Sequence, residues 1–599
     1  DKTLKRKEII SKVFPKNAVE MHFNRDIHIH KLPLSIYVPY CAGWSLPKIL
    51  RLGLVTQTLV SKPAKHLDSA INHLINFIFL VANEWTGALA VSGFDLQMAP
   101  FIRNDNLTQK QISQALQSMA FELNYPSRMG YQSPFSNITI VLDTIKSFLE
   151  SEAIVGGKRV GVVGDYLEEA IKLTKELIRI YNEGDSVGSP LTFPIPTLML
   201  TKNFDWKGNR WDGLTDMIFE SIAKRGTFYL LNGYATNVEV LYSMCCRLTI
   251  NFSKLNGRFI PTYEIKKETE DLTEFLSKKT SSRGIWAIPD ATGSIGVVTI
   301  NLPRIAFLSN GDENKFNEIL EEKLSVARDV LKRMRERYER SLNIGLMPMT
   351  KTYLGHFNNH YSTFGLVGLP EAASNFFRNV DLWFNLDKNE VTRAVKWMKN
   401  VVKTVRKIAE EWEKEDNVLY NVEEIPAEST AYRFAKADTE RFLKEVEEGE
   451  FFIPTENGTP FYSNSIIPYY ALIPIAKRAE LEGEVQGEFT GGVMMHLFLY
   501  ESPDPKALKK LIHKIAMNTK TVYFSITPTI AVCKKCGWNG VGVYEECPKC
   551  KGKVELWSRI VGYYKPITSW NVGKVAEFLR RVQYGRFNMA TTKSMLRKT

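Results

Sequence analysis

Four cysteines near the C-terminus constrain the fold of their segment more than any other feature of the sequence. Cys533 and Cys536 form one CxxC pair, and Cys547 and Cys550 form a second pair ten residues later. Two residues between thiolates let both sulfurs of a tight turn face one ion. We therefore predict a structural zinc site of four thiolates, with an iron–sulfur cluster or a redox pair as alternatives.

The composition predicts a globular chain with enough apolar material for a large core. The 599 residues are 44% hydrophobic and 24% charged, and no apolar run approaches the twenty residues that a membrane helix needs. Seven cysteines are too few for a secreted disulfide framework. We predict a cytoplasmic protein without a membrane segment. The net charge of +12 suits an anionic partner, which charge alone does not identify.

Alternating strand and helix patterns predict an α/β architecture with a zinc-binding appendage. Strands are expected in 26–41, with Cys41 at the end of the stretch, and in 292–303, which is apolar enough to be buried. Apolar residues recur at helical spacing over 64–85, 313–342 and 391–412.

Two further features bear on chemistry. Gly562 lies between large residues in the extended run 559–566, where a glycine gives up side-chain packing. Most such glycines form bulges or turns. A glycine α-carbon can also hold a planar radical that the amide and carbonyl share and that no side chain crowds. Cys245 and Cys246 are adjacent, and two small hydrophobic residues in a strand are the ordinary interpretation of such a pair.

Taken in order, these features resemble the anaerobic (class III) ribonucleotide reductases, which are glycyl radical enzymes. That family has a cysteine finger with a Met-x-Cys-Arg pattern, then a four-cysteine knot and a glycyl-radical loop, and the stretches 244–247, 533–550 and 559–566 match them. The resemblance implies a ten-stranded α/β barrel with a central cysteine finger loop and a C-terminal zinc-binding and glycyl-radical domain.

The resemblance also implies domain boundaries. Residues 1–525 would form the catalytic barrel, residues 526–556 the zinc-binding module, and residues 557–599 the glycyl-radical loop and tail. The N-terminal ATP-binding cone that is common in the family is expected to be absent, because the reductase-like region starts almost at once.

The resemblance assigns roles to five residues. Gly562 would store the radical, and Cys246 would become the thiyl that takes the ribose 3′ hydrogen. Cys41, on the first barrel strand, would supply reducing hydrogen to the substrate. Met244 would pack beside the thiyl, and Asn301 would hydrogen-bond substrate or formate. The role of the extra thiol, Cys245, stays open.

The implied reaction is the anaerobic reduction of ribonucleoside triphosphates, with formate as reductant and a thioredoxin-like reductant as the alternative. The radical would be generated by a partner activase that carries an iron–sulfur cluster and uses S-adenosylmethionine. Deoxynucleotide and ATP effectors and a homodimer are expected, and neither nucleic acid nor a membrane is an expected partner.

Two other functions remain open at this stage. A formate-lyase-like glycyl radical acyltransferase is suggested by the adjacent cysteines, although the knot and the Tyr-Tyr-Lys-Pro continuation after Gly562 argue against it. A zinc-ribbon nucleic-acid-binding protein is suggested by the basic tail from Lys574 to Lys598. A ribbon leaves the preceding 500 or so residues unexplained, and the tail could equally be a solvated face.

Overall fold

Ten strands form the centre of the molecule in the computed structural model, which describes residues 2–128, 132–235, 291–586 and 588–596. Every residue of these strands is buried, as expected for a sheet covered on both faces. In chain order the strands are β1 (Cys41–Trp44), β2 (Leu89–Val91), β3 (Ser136–Ile140), β4 (Ile195–Leu200), β5 (Tyr229–Asn232), β6 (Thr292–Asn301), β7 (His360–Val367), β8 (Leu419–Glu424), β9 (Met495–Leu499) and β10 (Tyr523–Pro528).

The ten strands form two sets that run in opposite directions. Strands β1 to β5 are parallel neighbours, as are β6 to β8 and the pair β9 and β10. The sets meet in antiparallel pairs, with Cys41 opposite Ser294 and Tyr229 opposite Ser525.

The sheet closes between β8 and the residues that lead into β9. Gly491 N–H donates to Val422 O at 2.7 Å, and Glu424 N–H donates to Gly492 O at 2.9 Å. Closure removes the open edges of the sheet. The predicted ten-stranded α/β barrel is therefore confirmed.

Helices cover the outside of the barrel, and the two longest show why the sequence pattern predicted them. Glu313–Asn343 and Lys388–Asp416 each bury one apolar stripe. Asp312 and Asp387 precede them and accept backbone N–H bonds in the first turn. The other helices are Lys2–Ser11, Lys16–Asn24, Leu46–Leu52, Leu67–Val81, Phe94–Asn104, Gln109–Asn124, Lys146–Leu149, Leu167–Glu183, Leu214–Arg225, Leu302–Ser309, Pro348–Tyr353, Leu369–Phe376, Leu382–Asn385, Glu428–Arg441, Leu443–Glu447, Ile475–Gln486, Pro505–Asn518, Val572–Arg580 and Thr592–Leu596.

No helix in the described ranges combines the length and the apolar character needed to cross a lipid bilayer.

Short strands complete the sheets. Ile27–Ile29 pairs with β6, and Val582–Tyr584 pairs with β9 and with Met589–Thr591. Residues beyond the predicted glycyl-radical loop therefore return to the barrel sheet. Within the described ranges, three two-stranded sheets pair Leu54–Val55 with Val60–Ser61, Glu152–Val155 with Lys158–Val162, and Thr455–Glu456 with Thr459–Pro460.

The stretch 26–41 is less extended than predicted. Its strand is confined to Ile27–Ile29, a short 3₁₀ turn, Leu34–Ile36, follows, and Cys41 at the end of the stretch begins β1. Pro33 and Pro39 explain the difference, because proline has no N–H to donate to a strand ladder.

Candidate active site

One small sheet joins the cysteine knot to the run that contains Gly562. Its strands lie in the order Asn539–Val541, Ile530–Val532, Glu555–Arg559, Tyr564–Pro566, and all pairs are antiparallel. Glu555–Arg559 therefore borders the knot on one side and forms one arm of the Gly562 hairpin on the other.

The four cysteine sulfurs are grouped as a tetrahedral metal site requires. All four lie within 4.8 Å of one another, with Cys533 and Cys550 at 3.5 Å and Cys536 and Cys547 at 3.7 Å. A zinc ion with four sulfurs at ~2.3 Å places those sulfurs ~3.8 Å apart, so the donor set fits zinc. The residue after each pair has a positive φ, 71° at Gly537 and 57° at Lys551, which turns the chain around the sulfurs.

Gly562 is buried at the tip of its hairpin. Arg559 and Tyr564 form the last strand pair, and Ile560 N–H donates to Tyr563 O at 3.1 Å across the tip. The Tyr563 ring packs at 4.9 Å from Phe135, the residue before β3. The tip is therefore in contact with the barrel.

Contacts with β5 show that the tip lies inside the barrel. Alternate residues of a strand face opposite sides, and Asn232 faces outward because its amide donates to Ala516 O of a covering helix at 3.1 Å. Tyr229, three residues earlier, faces inward. Its hydroxyl donates to Gly562 O at 2.6 Å.

Four consecutive carbonyl oxygens of the hairpin, from residue 559 to residue 562, accept hydrogen bonds from buried side chains outside it. Arg581 donates to Arg559 O at 2.8 Å and to Ile560 O at 3.0 Å. His496 of β9 bonds to Val561 O, and Tyr229 donates to Gly562 O. Such bonds fix the backbone around Gly562 more firmly than a hairpin turn alone would.

A chain of hydrogen bonds orients His496. Arg559 donates to Thr527 Oγ1 at 2.9 Å, Thr527 and Ser525 hydroxyls are 2.9 Å apart, and Ser525 Oγ is 2.7 Å from His496 Nδ1. Arginine only donates and a carbonyl only accepts. When His496 is neutral, each group in this chain therefore donates to the next one, and Nε2–H of His496 makes the last bond by donating to Val561 O.

Buried charges support the hairpin from the following helix. Arg581 donates to Glu577 Oε1 at 2.7 Å, and Lys574 bonds to the other oxygen of the same carboxylate. Burial alone would raise the pKa of Glu577, but Lys574 and Arg581 lower it overall. Burial lowers the pKa of Lys574, and Glu577 opposes that shift. Burial raises the pKa of Glu428, which hydrogen-bonds Tyr563.

Cys41 also faces the barrel interior. Cys41 and Gly43 lie on the same face of β1. Gly43 pairs with Ala90 of β2, and Ala90 pairs with Asn137 of β3. The pairing continues across β4 to Tyr229, which faces inward, so Asn137 and Cys41 face inward as well. The Cys41 sulfur is buried and accepts Ala88 N–H at 3.1 Å.

The inward face carries polar groups that the barrel itself does not satisfy. Asn137 Oδ1, Thr139 Oγ1 and Asn421 Nδ2 are buried without a hydrogen-bond partner among the described residues. Buried polar atoms are normally paired, so their presence favours a polar ligand inside the barrel.

Comparison with known proteins identifies the family. Residues 2–584 match the family model described as anaerobic ribonucleoside-triphosphate reductase. The chain belongs to this family. Membership of this family rules out the two alternative functions, the acyltransferase and the nucleic-acid-binding protein. The chain is thus an oxidoreductase that reduces ribonucleoside triphosphates to deoxyribonucleoside triphosphates under anaerobic conditions.

Individual reductases agree with the match. The anaerobic ribonucleoside-triphosphate reductase of Salmonella typhimurium is 22% identical, over 96% of this chain and 79% of that protein. A solved anaerobic ribonucleotide reductase is 25% identical, with a TM-score of 0.74 over 97% of this chain and 87% of that chain. The Thermotoga maritima enzyme in complex with dATP and CTP shares the fold, with 24% identity and a TM-score of 0.72 over 95% and 88% of the two chains.

The structure describes some of the predicted site residues of this reductase but not others. Met244 and Cys246 lie outside the described residues, as does Cys245. Gly562 and Cys41 both belong to the barrel interior. The four knot cysteines come together as predicted.

Asn301 lies in a different part of the reductase. It is the last residue of β6, whereas Ser294, opposite Cys41, lies near the start of that strand, ~20 Å away at the usual rise per residue. The Asn301 amide donates to Asp438 Oδ2 at 2.9 Å and to Arg25 O at 3.1 Å. These contacts favour a structural role, and a contact with substrate or formate stays a prediction.

Sequence reasoning missed the groups that hold the Gly562 hairpin. Arg581 belongs to the basic tail, for which the sequence left nucleic-acid binding and a solvated face open, and it is 1% exposed. Tyr229 and His496 have no distinguishing pattern around them. No pattern in the sequence separates Arg581, which is buried, from its neighbour Arg580, which is half-buried.

A cluster of three histidines lies apart from this site. His22, His28 and His30 are buried, with ring centres 5.2 Å apart in the first pair and 4.7 Å in the second. Burial, together with nearby positive charges, lowers the pKa of His22 to about 3 and of His30 to about 3, and lowers that of His28 well below its usual value. These rings are therefore neutral in the folded protein.

Proposed function

We propose that this reductase uses Gly562 as its radical store, Cys246 as the thiyl that attacks the ribose, and Cys41 as the thiol that reduces the substrate. The observation that carries the proposal is the position of Gly562, buried at a hairpin tip inside a closed barrel whose inward face also includes Cys41. A glycine exposed on a surface turn could not exchange a hydrogen atom with a group in the barrel.

The proposed steps balance as follows. A partner activase with an iron–sulfur cluster and S-adenosylmethionine would supply the one-electron chemistry that removes a hydrogen atom from Gly562. The Gly562 radical takes the thiol hydrogen of Cys246, and the thiyl takes the 3′ hydrogen of the ribose. The 2′-hydroxyl leaves as water with the proton of the 3′-hydroxyl, which leaves a 3′-ketone, and the Cys41 thiol gives a hydrogen atom to C2′. Formate gives a hydrogen atom to the Cys41 thiyl and one electron, with a proton from solvent, to the ketone, and leaves as carbon dioxide. The Cys246 thiol returns a hydrogen atom to C3′, and its thiyl takes back the hydrogen of Gly562, which restores the radical.

The barrel would hold the reacting atoms in place and exclude water and oxygen, while the radical would carry out the chemistry. Radical enzymes depend on holding the reacting atoms and keeping water and oxygen away from them. The buried polar atoms of Asn137, Thr139 and Asn421 are suitable partners for ribose hydroxyls. The net charge of +12 suits a triphosphate.

The remaining assignments follow the family. The T. maritima enzyme was solved with dATP and CTP, and we extend deoxynucleotide and ATP effectors, and a homodimer, to this chain. Zinc in the knot would be structural and would fix the arm of the hairpin that borders it. A cytoplasmic location fits this metabolism.

Anaerobic activation followed by electron paramagnetic resonance tests the proposal. Wild-type chain, treated with the activase, S-adenosylmethionine and a reductant, should give a glycyl doublet that is absent in Gly562→Ala. Cys246→Ser should keep the doublet and form no deoxynucleotide. A doublet that persists in Gly562→Ala, or turnover by Cys246→Ser, would refute the assignments. Release of labelled carbon dioxide from labelled formate, in step with deoxynucleotide, tests the reductant.

A further inference from the structure

The two carbonyl oxygens nearest the Gly562 α-carbon both accept hydrogen bonds from barrel strands. Tyr229 of β5 donates to Gly562 O at 2.6 Å, and His496 of β9 donates to Val561 O. Tyr229 is 3% exposed and His496 is 1% exposed. The barrel, rather than the hairpin, therefore fixes both donors.

These two oxygens affect an α-carbon radical in opposite ways. The radical is stabilised when the glycine nitrogen donates its lone pair and the glycine carbonyl withdraws charge, which makes Gly562 O more negative. A donor aimed at an atom that gains charge stabilises that state. Val561 O belongs to the preceding amide, which uses the same nitrogen lone pair. A donor at Val561 O draws the lone pair into that amide and away from the radical.

We infer that Tyr229 and His496 set the electron distribution of the Gly562 radical in opposite directions, Tyr229 spreading the unpaired electron onto the carbonyl and His496 limiting its spread onto the nitrogen. The inference rests on the proposed radical at Gly562. It makes both side chains positioning residues with an electronic effect. A purely structural role would change the amount of radical but leave its spectrum unaltered.

The surrounding contacts support a directed effect of His496. The chain of donors from Arg559 through Thr527 and Ser525 ends at His496 Nδ1 and leaves Nε2–H pointing at Val561 O. Arg559 also lies 4.1 Å from the centre of the Tyr229 ring. A cation over a phenol ring draws electron density from it and makes its hydroxyl a stronger donor.

The full-length chain, activated anaerobically, provides the test. The width of the glycyl doublet follows the share of the unpaired electron on the α-carbon. Tyr229→Phe should widen the doublet, and His496→Leu should narrow it. Besides the exchangeable amide proton of Gly562, electron–nuclear double resonance in H₂O and D₂O should detect a second exchangeable proton coupled to the radical, and this second coupling should be lost in Tyr229→Phe.

Tyr523→Phe is the matched control. Tyr523 is a buried barrel tyrosine stacked on Tyr229 with ring centres 6.0 Å apart, and its hydroxyl is 2.9 Å from Thr197 Oγ1. Removing that hydroxyl should leave the doublet width unchanged. Equal changes in Tyr523→Phe and Tyr229→Phe would overturn the inference.

A second series keeps the shape of the side chain. Fluorinated tyrosines placed at 229 are more acidic and should narrow the doublet progressively, even where Tyr229→Phe fails to activate. A constant width along the series overturns the inference while the radical at Gly562 stands. A doublet that is absent from wild type, or that survives in Gly562→Ala, refutes the proposed function and the inference together.

Discussion

Replacing Arg581 by methionine should loosen the hairpin that carries Gly562. The arginine is 1% exposed and donates to the carbonyls of Arg559 and Ile560 and to Glu577. Methionine replaces the unbranched stem of the side chain but removes every donor and leaves the buried carboxylate with Lys574 alone. Breaking one partner of a buried pair costs ~3–5 kcal/mol.

A cost of ~4 kcal/mol corresponds to roughly a thousandfold increase in the population of the open hairpin. Hydrogen–deuterium exchange read by mass spectrometry should therefore speed up by about that factor for amides in 555–566, provided that the hairpin recloses faster than an open amide exchanges. Arg580→Met is the matched control. Its guanidinium is paired with Glu456 at 3.0 Å rather than with the hairpin, and its side chain is 33% exposed, so exchange in 555–566 should stay close to wild type. Acceleration of less than tenfold in Arg581→Met, or equal acceleration in both variants, would refute the role of Arg581.

Three further predictions test other parts of the molecule. Cys536→Ser should lose its stoichiometric zinc, measured by elemental analysis. It should also give a weaker glycyl doublet, because the hairpin shares a strand with the knot. Cys41→Ser should keep its zinc. Cys41→Ser should form the Gly562 radical yet release no deoxynucleotide, and normal product in a chromatographic assay would contradict the role of Cys41. The pKa of His30 is about 3 when folded and ~6.5 when unfolded, so its contribution to stability is complete above pH 6.5 and is lost as the pH falls. The loss is ~2 kcal/mol by pH 5, so the melting temperature of His30→Gln should fall less than that of wild type between pH 7 and 5, and an equal fall in both proteins would contradict this role of His30.

The cysteine knot and the long helices could be predicted because their signals are local. Spacing of two residues brings Cys533 and Cys536 to one ion, and the stripe of Glu313–Asn343 repeats every turn. The barrel and the role of Gly562 came from resemblance, since periodicity alone indicates an α/β protein without the number of strands. The resemblance placed Cys41 on the first barrel strand, and the structure does the same.

The support of Gly562 could not be predicted, for a physical reason. Tyr229 lies 333 positions from Gly562 in sequence and His496 lies 65 positions from Val561, and both bond to backbone oxygens. Every residue has a backbone oxygen, so the type of residue that accepts the bond gives no sign of which side chain donates to it. Arg581 was equally hidden, because a buried arginine and a solvated one look alike in a basic tail.

The shared strand Glu555–Arg559 has a consequence for activation. Gly562 is buried, so the proposed activase would need the hairpin to open before it could reach the α-hydrogen. Because Glu555–Arg559 pairs both with a strand next to the cysteine knot and with the second arm of the hairpin, such an opening would displace the knot as well. The hydrogen bonds to the four carbonyl oxygens of residues 559–562 would have to break in the same movement.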